Sequence, residues 1–190
     1  MLPAASVRLA VLILAGAAQA AVVSPKGAPY SYDVPAPWIV GPVEEGLASL
    51  LGPGKTRGFR PGIHIETHPE DEYSPTRLPH QSGAQDYLLT LQARLGQDKA
   101  WRVSKPRMIT IAGRAATRIV SSRKHRIEPL DIPTGTAFPP FDALITEDRV
   151  ILPLKQGFLV LAFKAAGQDY KDDLPAFESV LKSLRLKTRT

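Results

Sequence analysis

The chain of 190 residues contains no cysteine. That excludes disulfides and a thiol nucleophile, and it leaves no lipidated cysteine to anchor the chain behind a leader. Catalytic signatures are missing as well. No G-x-S-x-G elbow, no G-x-G-x-x-G loop and no Walker phosphate loop occurs. Ser82 near His80 is better explained as a helix cap than as part of a hydrolase site. No repeat of fixed period is present, so a solenoid or propeller is not expected. Nor is there an apolar run of about 20 residues, the length a spanning helix needs.

The apolar run that is present is short and lies at the start. Arg8 is the only charge in residues 1–20, about ten apolar residues follow from Leu9, and Ala18-Gln19-Ala20 closes the segment. A positive n-region, a short apolar core and an A-x-A site predict a secretory signal peptide, residues 1–20, cleaved after Ala20. The competing reading is a core helix that stays attached. Residues 21–190 then form one domain, long enough to bury about 70% of its unfolded surface without covalent staples. A cysteine-free exported chain fits a bacterial periplasm better than a eukaryotic secretory route, where small domains lean on disulfides. The expected location is periplasmic or secreted, with no transmembrane or lipid anchor after cleavage.

Acids are fewer than bases, 18 against 24 Lys and Arg, for a net charge of +6. Loss of Arg8 leaves 23 bases against 18 acids. Such a surplus favours anionic partners. Nucleic acid is not expected outside the cytoplasm, so the expected partner is an anionic component of the envelope or an unknown envelope protein. The plainer reading is that the charge serves solubility.

Periodicity gives the elements. Ala21–Pro29 reads as a loose N-terminal segment. Tyr30–Val34 alternates as a half-buried strand and is stopped by Pro35-Ala36-Pro37, with Trp38 folding back onto the sheet. Val43–Leu51 reads as a short helix ended by Gly52-Pro53-Gly54, and Gly58–Thr67 as a strand. His68–Gln81 is polar and proline-rich, a surface loop. Ser82 with Gln85 forms a capping box before the stripe Ala84, Tyr87, Leu88, Leu91, Leu95, and Gly96 is placed to end that helix in a left-handed cap. Short strands are expected at Trp101–Val103, Arg107–Ile111 and Arg114–Arg123, the last two joined by an Ala112-Gly113 hairpin. Lys124–Phe141 holds four prolines and reads as a long loop. Arg149–Leu154 and Phe158–Ala165 are strands, the second apolar on both faces and therefore central. Leu174, Phe177, Leu181 and Leu184 mark a final helix. The fold class is α+β: an α/β/α sandwich, its mostly antiparallel sheet of about six strands carrying a helix on each face.

Three features carry a family resemblance. They are Tyr30–Val34 running into Pro35-Ala36-Pro37-Trp38, the hairpin Ile109–Ile119 with its I-A-G-R-A-A pattern, and the Phe158–Phe163 strand followed by a helix ending Leu181-Lys182-Ser183-Leu184. In these the chain resembles the PsbP-like proteins and the bacterial DcrB-like exported proteins, over nearly all of residues 21–190. Lys124–Thr146 departs from the pattern, being longer and richer in proline. The resemblance implies an α/β/α sandwich and a non-catalytic accessory or binding role in the envelope. It supplies no catalytic residue and no cofactor, and fold alone licenses no function.

Candidate sites come from the residues themselves. In His64-Ile65-Glu66-Thr67-His68 the three polar side chains share one face of a strand. Two imidazoles and a carboxylate, each about 7 Å from the next along the strand, can converge on a divalent ion. The alternative function is therefore a divalent-metal-binding protein or metal-dependent enzyme using His64, Glu66 and His68, with Glu70, Asp71, Glu72 or His80 as further donors. The competing reading is a solvated outer face. Arg118, Arg123, Lys124, His125 and Arg126 can bind phosphate or acidic sugar, or can serve as charges that discourage edge pairing. Tyr87, Leu88 and Leu91 can line a groove or fill the core.

Overall fold

The computed structural model describes residues 21–41, 47–56, 59–70, 82–127 and 139–187. The expected leader, His80 and the acids Asp71 and Glu72 lie outside them. The strands are β1 Ala21–Val23, β2 Tyr30–Val34, β3 Ile39–Val40, β4 Leu47–Leu51, β5 Gly62–His68, β6 Arg102–Val103, β7 Arg107–Ile111, β8 Arg114–Ile127, β9 Phe141–Pro153, β10 Phe158–Ala166 and β11 Arg185–Leu186. The helices are α1 Gly83–Gln97 and α2 Gly167–Ser183.

Phe158–Phe163 is apolar at every position, and it forms the middle of the larger sheet. β10 is flanked by β5 and β9, in the order β3-β4-β5-β10-β9-β8-β6, with β7 also on β8. All these pairs are antiparallel. The sheet has eight strands among the described residues rather than about six. A second sheet, β1-β2-β11, holds the two ends of the described chain on either side of β2.

Alternation divides the core. Leu159, Leu161 and Phe163 join Ile63, Ile65, Val150, Leu152, Phe177, Val180 and Leu181 in the main cluster. The intervening Phe158 and Val160 join Ile151 and Ala84 in another, and Leu91, Leu95 and Ile119 form a third. So the stripes of α1 and α2 pack on alternate residues of the same strands. Trp38 is buried as expected, its ring edge-on to Phe163 at 6.2 Å.

Helix ends follow local chemistry at the start of α1 and depart from it at the end. The Ser82–Gln85 capping box is formed. Gly96 stays inside the helix, and the chain leaves through Asp98 in an extended conformation, so the expected left-handed cap is not made. The Ala112-Gly113 turn has φ of 48° and 74°, the doubly positive geometry of a tight hairpin.

Three further expectations are corrected. Ala21–Val23 is not loose but pairs with β2, Ala21 opposite Val34. Leu47–Leu51 is strand, not helix, because its apolar run is taken up by pairing with β5; residues 42–46 lie outside the described set. The long loop is shorter than Lys124–Phe141. β8 continues to Ile127 opposite Phe141, and Ile127 is buried with Ile145 and Ala166. An apolar pair at the far end of the hairpin outweighs the charged residues between.

Candidate functional site

β5 places the motif. Ile63 and Ile65 are buried in the main cluster, so His64, Glu66 and His68 are turned to the other side of the strand. β10 brings Ala162 opposite both His64 and Arg149, and Lys164 opposite Glu147. The small side chain of Ala162 leaves a gap of two strand spacings, about 10 Å, between His64 and Arg149. α1 borders that gap with Tyr87, Thr90, Leu91 and Arg94, closing a cleft of about 390 Å³. Tyr87 and Leu91 thus serve both readings drawn from the sequence. Leu91 fills the core and each borders the cleft.

The cleft carries compensated charge. Glu147 accepts from Arg149 Nη2 and lies 3.4 Å from Lys164 Nζ. Glu66 Oε2 is 3.2 Å from His68 Nε2. That hydrogen bond, against the opposing effect of burial, holds the Glu66 carboxyl below its ordinary pKa; the charges of His68, His64 and Arg149 act in the same direction. Arg149 Nη1 is buried with no partner among the described residues, so the cleft wall holds one unused donor.

His64 and Glu66 line the cleft together, whereas His68 does not. The His68 ring stacks on Phe158 at 4.9 Å and lies 5.7 Å from Tyr87, beneath α1. Gly157, at φ +87° in the turn between β9 and β10, lets that turn lie against the end of β5: a Cβ there would meet the His68 carbonyl oxygen at 2.1 Å. Among the described residues no three His, Asp or Glu side chains are disposed to hold a metal ion.

The basic cluster divides. Arg118 is buried, not displayed. It donates from Nε to Asp148 Oδ1 at 2.8 Å and from Nη2 to Oδ2, and its Nη1 reaches Glu178 on α2. These hydrogen bonds, Asp148 foremost, raise its pKa further above an already high value. Tyr170 donates to the same Asp148 oxygen at 3.0 Å, completing a buried network between β8, β9 and α2. Arg123 lies over the Trp101 ring at 4.7 Å, while Lys124, His125 and Arg126 are exposed.

Sequence reasoning missed Glu147, Asp148 and Arg149. Their signal was three adjacent charges running into the apolar Val150-Ile151-Leu152. Alternation sends Glu147 and Arg149 to the cleft and Asp148 to the opposite side, under α2. Polar groups inside a buried strand are the informative exceptions.

No protein-family model matches the chain, and no curated protein matches it in sequence. Solved structures do match. LpqN, described as involved in cell envelope biogenesis of Mycobacterium tuberculosis, is 14% identical, with a TM-score of 0.53 over 90% of this chain and 91% of its own. The Ran-binding protein Mog1p of Saccharomyces cerevisiae is 6% identical, with a TM-score of 0.51 over 88% and 95%. The cyanobacterial PsbP of Synechocystis is 12% identical, with a TM-score of 0.48 over 90% and 95%. LpqN and Mog1p share this chain's fold, in line with the PsbP-like resemblance drawn from the sequence. At such identities the likeness is one of fold.

Proposed function

We propose that the chain is a non-catalytic, exported binding or accessory protein of the bacterial envelope, built as an α/β/α sandwich. The observation that carries this reading is the fold shared with LpqN across nine-tenths of both chains. The cleft supports it. Its two carboxylates are each paired with a base, Glu66 with His68 and Glu147 with Arg149 and Lys164, so its walls offer paired charges of both signs for recognition. Cleavage after Ala20 would spare every described residue and leave Ala21 in its ladder with Val34. No described helix is long and apolar enough to cross a membrane.

The test is fractionation of expressing bacteria with N-terminal sequencing of the recovered protein. Recovery from the periplasm or medium, beginning at Ala21, is the expected result. Intact Met1 on soluble cytoplasmic protein would overturn export. The alternative, a divalent-metal protein using His64, Glu66 and His68, is favoured by the shared exposure of His64 and Glu66 to the cleft. It requires metal near stoichiometry in untagged protein, lost on His64→Ala. Metal-free protein that binds neither zinc nor copper at neutral pH disposes of it.

A further inference from the structure

The floor of the cleft is the middle strand of the larger sheet, yet it stays open. On β10, Leu161 and Phe163 are fully buried, and Phe163 stacks on Phe177 of α2. Ala162 between them faces the other way and is only half-buried. The two smallest residues of the floor lie together. Ala162 stands between His64 and Arg149, and Gly62 stands opposite Lys164. A Cβ at Gly62 would come within 3.2 Å of His64 Nε2, so glycine leaves room for the imidazole to lean along β5 over it. A methyl group and a hydrogen, ringed by long side chains, leave a hollow that the chain does not fill. Its volume of about 390 Å³ falls within the range of small-ligand sites.

The hollow has donors to spare. Arg94, Arg149 and Lys164 bring three cations to it, against the two carboxylates Glu66 and Glu147. Both carboxylates are engaged already, Glu66 with His68 and Glu147 with Arg149 and Lys164. Arg94 is exposed on α1, and its side chain forms no ion pair or hydrogen bond among the described residues. The His64 ring forms none either. Arg149 Nη1 is buried without a partner among them, and a buried donor costs stability until an acceptor reaches it. These three groups come from α1, β5 and β9 around the methyl of Ala162. A divalent cation there would meet three positive charges with both carboxylates taken. An oxyanion would supply the missing acceptors, and guanidinium groups suit carboxylate and phosphate in particular. The rest of the wall is apolar: the Tyr87 ring and Leu91 from α1, and Val160 next along the floor.

We propose that the cleft binds a small organic anion, its carboxylate or phosphate set over Ala162 among His64, Arg94 and Arg149 and its apolar body against Tyr87, Leu91 and Val160. This deepens the binding role proposed above and rests on it, but not on export. Anion binding by a chain recovered from the cytoplasm would refute export and leave the site standing. An exported chain whose cleft takes no anion would do the reverse.

The experiment is an NMR titration of the isotope-labelled full chain at neutral pH with four probes: benzoate, phenyl phosphate, benzamide and inorganic phosphate. At least one of the two organic anions should bind with a Kd of about 1 mM or tighter, and the tighter of them identifies the head group. The shifted amides should centre on His64, Ala162, Arg149 and Arg94. Benzamide, the uncharged isostere of benzoate, should bind about tenfold or more weakly, because it lacks the charge that strengthens hydrogen bonds to guanidinium. Inorganic phosphate should also bind about tenfold or more weakly, because it buries no apolar surface. Arg94→Gln removes an unpaired surface cation, so it should keep the melting temperature and weaken anion binding about tenfold. Ala162→Leu should fill the floor and block binding. No binding of either organic anion, shifts centred elsewhere, benzamide or inorganic phosphate bound as tightly, or unchanged affinity in either variant while it remains folded would overturn the proposal.

Discussion

Glu66 and His68 stand two positions apart on β5, and their hydrogen bond holds the Glu66 carboxyl below its ordinary pKa. A carboxyl whose pKa falls on folding adds stability above its unfolded pKa, about 4.3, and loses it as pH drops through the folded value. Carboxyl-carbon NMR should find Glu66 titrating below an exposed glutamate, and His68→Ala should move it upward. No shift in that variant would show that the hydrogen bond is not the cause. Asp173 has the opposite sign. Its Oδ2 is buried without a partner among the described residues, and burial, followed by the nearby Asp169 charge, raises its pKa. A raised carboxyl opposes folding once ionised, and that opposition fades as pH falls through the folded value. Asp173→Asn should therefore raise the melting temperature at neutral pH, with the gain shrinking in acid. A lower melting temperature at pH 7 would show that the carboxylate has a stabilising partner.

At the scale of elements, α2 rests on the main cluster through Phe177, Val180 and Leu181, with Leu181 only 2% exposed. Leu181→Ala should cost about 2–5 kcal/mol by denaturant unfolding, the range for a fully buried leucine. A loss under about 0.5 kcal/mol would be a surface result. The Asp148 network ties α2 to β8 and β9. Asp148→Ala strands the buried Arg118 guanidinium and should cost about 3–5 kcal/mol in the same assay; a near-neutral result would mean Glu178 alone satisfies the arginine. Both helices were legible in the sequence because their stripes keep the helical period over several turns. β4 was not, since five residues of Leu-Ala-Ser-Leu-Leu suit either element and only the ladder with β5 decides. The last turns of β8 and the first of β9 were hidden by four basic residues and by prolines, and the Ile127–Ile145 contact that orders them spans two elements.

Over the whole molecule, what could be read was what one strand or one helix states by itself. The common face of His64 and Glu66 follows from spacing alone. Arg94, Glu147, Arg149 and Lys164 come to the same cleft from three other elements, and no local pattern announces that meeting. His68 shares the face but packs its ring between Phe158 and Tyr87, beneath α1. The basic cluster was legible in its sign, in Arg123–Arg126, but not in the fate of Arg118, which Asp148 and Glu178 hold inside.

The small sheet has a mechanical consequence. β1 enters opposite Val34 and β11 leaves opposite Tyr30, one on each side of β2. Tension applied through Ala21 and Lys187 would draw the two outer strands in opposite directions along β2. The ladder hydrogen bonds lie across that pull, so they would be loaded together rather than opened one after another. The chain should thus resist stretching through Ala21 and Lys187 more strongly than pulling across the β6–β7 edge, where the ladder bonds to β8 would part in sequence. Single-molecule force measurements with the two attachment geometries should rank them in that order.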